Sequence, residues 1–117
     1  MNFARLLQPV AECPGVITAL ITDRDGIAVE VVGGSAAEGE ELAAEFSSLV
    51  REVTSANREL QLGRLEQVVV TGDRRAVFVT AISDDYFLMT LVESSGNQGK
   101  ARFRSRIAAH RLRSEFM

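Results

Sequence analysis

The sequence predicts an α+β fold: a five-stranded antiparallel sheet with helices on both faces, an α/β/α sandwich in the order αββαβββα. Three observations support this. Five short runs are rich in β-branched and aromatic residues, and the connections DRDG, GDRR and SDD between them have hairpin length. Several of these runs are apolar at odd and even positions alike, which marks strands covered on both faces. Three other stretches repeat their apolar residues at helical spacing.

The elements follow in chain order. Phe3, Leu6, Leu7 and Val10 give a short helix over residues 3–11, broken by Pro14-Gly15. VITALIT (16–22) is the first strand. DRDG then turns the chain, because Gly26 accepts positive φ without steric cost. IAVEVV (27–32) returns as the second strand, and Glu30 within it suggests an edge, where charge deters unwanted pairing. After Gly33-Gly34, a helix over 36–60 places Leu42, Ala43, Phe46, Leu49, Val50, Val53 and Leu60 on one face. Ser35 is suited to cap it, with Glu38 three residues on as the reciprocal partner. Glu38, Glu40 and Glu41 lie where the helix dipole favours acids. LEQVVVT (65–71) reads as an edge strand because of Glu66 and Gln67. AVFVTAI (76–82) and YFLMTLV (86–92) read as central strands, and a last helix covers 98–116. Without repeats or linkers, residues 1–117 are expected to form a single domain.

Apolar residues make up 46% of the chain, enough for a core, so wholesale disorder is excluded. The net charge of −3 argues against a nucleic-acid binder. That charge is unevenly spread: residues from Lys100 onward carry +5, the rest −8. A basic last helix therefore sits on an acidic body. Cys13, the only cysteine, forms no internal disulfide, which fits a cytoplasmic setting. Lys100 is the only lysine among 13 basic residues, a bias that fits a GC-rich bacterial genome. The apolar runs are too short to span a bilayer, no amphipathic lipid anchor stands out, and no membrane insertion is expected.

The stretch LVESSGNQGKARFR (91–104) invites comparison with a phosphate-binding loop. Such a loop needs Gly five residues before Gly99 and a hydroxyl after Lys100; here these are Ser94 and Ala101. The glycines are better explained as the chain's exit from the sheet, with Ser95, Gly96 and Asn97 leading into the helix cap. DRDG echoes a calcium loop, but Gly34 stands where the bidentate Glu belongs. His110 is the only histidine, and Asp84 and Asp85 are turn carboxylates whose ordinary state is solvation. Cys13 beside Pro14 reads as packing. No catalytic constellation emerges, and no metal or cofactor is expected. The chain reads as a binding or regulatory module rather than an enzyme.

The unit VITALITDRDGIAVEVVGG, the long helix, the triple strand VVVTGDRRAVFVTAISDDYFLMTLV and the exit GNQGKARFRSRIAAHRLRSEF together resemble the Roadblock family, whose fold is profilin-like. That family includes dynein light chains and bacterial regulators of small GTPases such as the gliding-motility GTPase-activating proteins. The resemblance implies a homodimer joined through the second helix and third strand into a continuous ten-stranded sheet. The matching dimer residues are Ala44, Ser48 and Ser55 on helix 36–60, and Leu65, Gln67, Val69 and Thr71 on strand 65–71. It also implies a small Ras-like GTPase as partner, to be scaffolded or stimulated in hydrolysis.

Two surfaces compete for that partner. One is the outer face of the second helix, where Arg51 and Arg58 stand among small residues; a plain solvated face is the ordinary alternative. The other is the last helix. There Ala101, Ala108, Ala109, Leu112 and Phe116 form an inward stripe, while Phe103 and Ile107 fall nearly opposite. The ordinary alternative for these two is packing against the first helix through Phe3, Leu6 or Leu7. Other functions also remain open: a small-molecule sensing module of PAS-like or profilin-like architecture, with Thr18, Thr80 and Thr90 as interior polar candidates, or a purely structural light chain of a motor complex.

Overall fold

The most apolar run of the chain takes the middle of the sheet. The computed structural model describes residues 2–116, and in it the strand Tyr86–Glu93 (β5) is buried on both faces from Phe87 to Val92. It pairs antiparallel with Val16–Asp23 (β1) on one side and Arg75–Ala81 (β4) on the other. Ala28–Val32 (β2) flanks β1, and Gln67–Thr71 (β3) flanks β4, giving the order β2-β1-β5-β4-β3. The acid- and amide-bearing strands thus take the two edges, as their composition predicts.

Helices Phe3–Ala11 (α1) and Gln98–Leu112 (α3) cover one face. Their Leu7, Val10, Ala108, Ala109 and Leu112 pack on Ala19, Ile21 and Leu88. Nearby, Ala101 joins Cys13, Ala76, Phe78 and Val92. The other face is covered by Ala36–Glu59 (α2) alone, whose Leu42, Ala43 and Val50 meet Leu20, Val77, Val79, Phe87 and Met89. One helix is about 10 Å wide, whereas five strands span about 24 Å. Two helices nearly cover a sheet of that width; one does not.

The local devices are those the residues favour. Ser35 Oγ accepts from the Glu38 amide at 3.1 Å and caps α2. The reciprocal half of the expected capping box is replaced by an ion pair: Glu38 faces Arg75 at 3.9 Å. Gly39 is buried, and a Cβ there would lie 2.7 Å from Val31 Cγ1, so its absence lets α2 sit close on β2. In the DRDG turn, Asp23 Oδ1 accepts from the amides of Asp25 and Ile27 at 2.9 Å each.

Several boundaries shift from expectation. α2 ends at Glu59, and Leu60 lies outside it, 68% exposed rather than on the buried face. Past it the chain turns back: Gln61 and Gly63 have φ of 56° and 90°, and Asn57 Nδ2 donates to the Gly63 carbonyl. This return packs Leu65 against the α2-side core, so β3 begins at Gln67 and not at residue 65. α3 ends at Leu112 and tightens into a 3-10 turn, Arg113–Glu115. The tighter turn carries the Phe116 ring to Phe3 (5.0 Å) and Tyr86 (4.3 Å).

The glycines of the LVESSGNQGKARFR stretch have a packing role. Gly96 lies against Gly15: a Cβ on Gly96 would meet the Pro14 carbonyl oxygen at 2.7 Å and Gly15 Cα at 2.8 Å. Across this contact Glu93 N donates to Gly15 O (2.8 Å) and Asn97 N to Pro14 O (3.1 Å). Asn97 Oδ1 then caps α3 by accepting from Lys100 N. We therefore expect Gly96→Ala to lower stability by about 2 kcal/mol, the usual cost of overpacking against backbone. Gly99→Ala, with nothing nearer its Cβ than 3.9 Å, is expected to be neutral or to stabilise by up to about 0.5 kcal/mol. Urea denaturation midpoints compare the two.

Candidate protein-interaction surfaces

The first surface is the outer edge of β3. Glu66 O accepts from Ala81 N, and Gly72 N donates to Arg75 O, at the two ends of the β3–β4 pairing. Backbone groups alternate along an antiparallel pair. Val68 and Val70 therefore bond to β4, while Gln67, Val69 and Thr71 direct their N–H and C=O groups outward. The register places Val69 beside Phe78 on the α3 side of the sheet and Val70 beside Val77 on the α2 side. Both valines are 37% exposed, so the edge is open on both faces. At the opposite edge both α1 and α2 pack on β2, whereas β3 has no comparable helical cover.

The candidate dimer residues divide here. Val69 and Thr71 lie on the open edge, and exposed Ala44, Ser48 and Ser55 lie on the outer stripe of α2. Leu65 does not join them, for the reason given above. Gln67 is on the edge but is engaged within its own chain: its Nε2 donates to Thr80 Oγ1 (2.9 Å) and its Oε1 accepts from Arg102 Nε (2.7 Å). Val70 belongs to this surface and was not singled out by alternation alone. Its signal is a continuous Val68-Val69-Val70 run on a strand whose neighbours mark it as an edge.

The second surface is the outer face of α2. Arg51 is pinned there, its Nη1 donating to the Arg24 carbonyl at 2.6 Å. Arg58 lines an open cleft of about 680 Å³ between the end of α2, the return loop and the β4–β5 turn. Arg24 and Arg64 join it from other elements, over a floor of Leu65, Ala81 and Phe87. Asp84 also lines the cleft and Arg24 pairs with Asp85 at 3.5 Å, so Arg58 and Arg64 are the guanidiniums suited to acidic side chains of a partner. Arg24 and Arg64 were missed in the sequence because only the fold brings three distant segments together.

The third surface is the outer face of α3. Phe103 is 65% exposed and Ile107 40%, so they do not pack against α1. Arg104 makes that junction instead, donating from Nη1 to the Pro9 carbonyl at 2.9 Å. The sheet separates Phe103 and Ile107 from Arg51 and Arg58, so one flat contact does not reach all four.

The interior offers little to a ligand. Thr18 Oγ1 donates to Val32 O (3.3 Å), Thr80 is held by Gln67, and Thr90 shares a 2.9 Å hydrogen bond with Ser105. Among the described residues, no buried side-chain nitrogen or oxygen lacks a partner, and no cluster of three or more His, Cys, Asp or Glu has metal-site spacing. No helix among them is long and apolar enough to cross a membrane.

With this geometry in place, the comparisons are specific. The sequence model of the Roadblock/LC7 domain matches residues 3–92. The crystal structure of a Roadblock/LC7 domain from Streptomyces avermitilis superposes with a TM-score of 0.82 at 23% identity, covering 97% of this chain and 93% of that one. The gliding protein MglB of Thermus thermophilus gives 0.84 at 18% identity, covering 96% and 86%. MglC of Myxococcus xanthus gives 0.68 at 26% identity, covering 98% and 99%. No curated protein matches the sequence significantly.

The buried hydroxyl pair provides a test of interior satisfaction. Ser105 Oγ also bonds the Ala101 carbonyl (2.7 Å), so Ser105→Ala strands Thr90. We expect a loss of about 1–3 kcal/mol for that variant. Thr90→Val combined with Ser105→Ala is expected to cost less than Ser105→Ala alone, by urea denaturation.

Proposed function

The chain belongs to the Roadblock/LC7 family, and from that premise we propose that it is a homodimeric regulator or scaffold of a small Ras-like GTPase. In this reading its 117 residues form one Roadblock domain acting in the cytoplasm, with no catalytic site or cofactor of its own. The observation that carries the reading is the open edge of β3. Three outward-directed residues with half-exposed valines on both faces form a template for a strand of like kind.

The register of that pairing follows from the parity of the edge. A two-fold axis through Val69 sets Val69 opposite its own copy and Gln67 opposite Thr71. Two identical strands run antiparallel within one sheet only if the axis is perpendicular to the sheet. The dimer then has one ten-stranded sheet, with both α2 helices on one side and both α3 helices on the other. The partner's α2 comes to the flank of β3 that a single helix leaves uncovered. The GTPase is assigned to the α2 layer, where Arg51 and Arg58 lie; Phe103 and Ile107 fall outside that contact.

The partnered state of Thr18, Thr80 and Thr90 weighs against a small-molecule sensor. A purely structural light chain predicts the same dimer but no effect on a GTPase. Mixing the protein with a GTP-loaded Ras-like GTPase of the same genome separates the two. Co-elution or altered turnover is expected, and neither occurring removes the GTPase reading.

Two substitutions test the parts. Val69→Pro deletes an outward N–H without touching the β4 ladder, and edge strands tolerate proline. The wild type is expected to elute at twice the 12.7 kDa chain mass and Val69→Pro at the chain mass, still folded by circular dichroism. Arg58→Ala is expected to weaken GTPase binding by about tenfold or less, the range of a single peripheral contact. Removal of a true arginine finger lowers turnover by about 10³-fold or more, and single-turnover hydrolysis distinguishes these magnitudes.

A further inference from the structure

We propose that the outer face of α3 is an adsorption site for an anionic lipid surface. The inference concerns the layer opposite α2 and does not rest on GTPase binding. α3 holds five Lys or Arg and no acid, whereas α2 holds six acids against two arginines. The sheet separates the two helices, so the molecule is a plate of 36 × 36 × 25 Å with a basic face and an acidic one.

The basic face has an apolar crest. At 3.6 residues per turn, Phe103 and Ile107 lie along its centre, with Lys100, Arg104 and Arg111 on one flank and Arg102 and Arg106 on the other. Arg102 and Arg104 are engaged by Gln67 and by Pro9. Among the described residues, the side chains of Lys100, Arg106 and Arg111 have no protein partner. Phe103, 65% exposed, is the most exposed large apolar side chain of α3. Aromatic and aliphatic residues flanked by cations are what an interfacial helix presents to headgroups and the upper acyl region.

The net charge of −3 does not oppose this orientation. With α3 on the surface, the acidic helix stands two layer spacings away, about 20 Å or more than two Debye lengths at physiological salt. The bilayer therefore senses mainly the near face. The surroundings favour lipid over an acidic protein helix. The shallow depression beside Phe103 is lined by Phe103, Arg106, Ile107, His110 and Arg111, all from α3. A convex crest without a second wall suits a fluid surface that deforms around it. In the two-fold dimer proposed above, both crests face the same way and bind together.

The test uses vesicles of equal parts phosphatidylglycerol and phosphatidylcholine, against phosphatidylcholine alone. The chain has no tryptophan, so Phe103→Trp supplies a reporter. Wild type and Phe103→Trp are expected to co-sediment with the anionic vesicles at low salt and to leave them at about 1 M salt. The Phe103→Trp emission is expected to shift to the blue on binding. Arg106→Glu and Arg111→Glu are each expected to weaken binding by about thirtyfold, from the per-charge attraction of an anionic surface. Arg74→Glu, in the exposed β3–β4 turn, makes the same change in net charge and is expected to bind as the wild type. An unshifted emission, or equal losses in the Arg74→Glu and Arg106→Glu variants, overturns the proposal. So does a wild type that stays off the anionic vesicles, which hands the crest to an acidic protein segment.

Discussion

A single helix on one face of a five-stranded sheet is the constraint from which the rest follows. α2 covers that face from β2 through β4 with Leu42, Ala43 and Val50, under which Leu20, Val77, Val79 and Met89 are buried. The β3 flank keeps only the shelter of its own side chains, and Val70 is left part-wet although it points toward a helical layer. Burying the remaining apolar area at roughly 25 cal/mol per Å² is available only from outside the chain. An unpaired edge and an uncovered flank meet at the same strand, and the proposed dimer supplies a strand for the one and a helix for the other.

Much of this architecture is legible in the sequence because it rests on local rules. Alternation, turn residues and helical spacing locate the elements, and single polar residues such as Glu30 and Glu66 betray the edges. What escapes is set by contacts between distant segments. Leu65 reads as the start of a strand until the Asn57–Gly63 hydrogen bond folds the return loop under α2. Gln67 reads as a bare edge residue until Arg102, on another element, reaches it. Phe103 and Ile107 fall off the core stripe of α3 in the sequence, but only the placement of α1 decides that nothing covers them. The cleft arginines belong to three segments with no shared pattern.

The two helical layers divide the chemistry. Small residues and acids with two arginines occupy the α2 side, and cations with a protruding apolar crest occupy the α3 side. The interior between them is closed, with the hydroxyls of Thr18, Thr80 and Thr90 bonded within the chain. Such a plate is suited to holding two unlike surfaces apart at a fixed distance and orientation. On the function proposed above, the α2 side meets the protein partner and the α3 side offers a means of placing that event.

The pairing of β1 with β5, closed at one end by Gly15 against Gly96, has a consequence for biosynthesis. β1 (Val16–Asp23) leaves the ribosome about 70 residues before its central partner (Tyr86–Glu93), on the order of several seconds at ordinary translation speed. During that interval its most apolar flank, Ala19 to Thr22, has only β2 beside it. The nascent hairpin must stay unaggregated until nearly the whole chain has emerged, and the charged DRDG tip and Glu30 are its solubilising groups in the meantime.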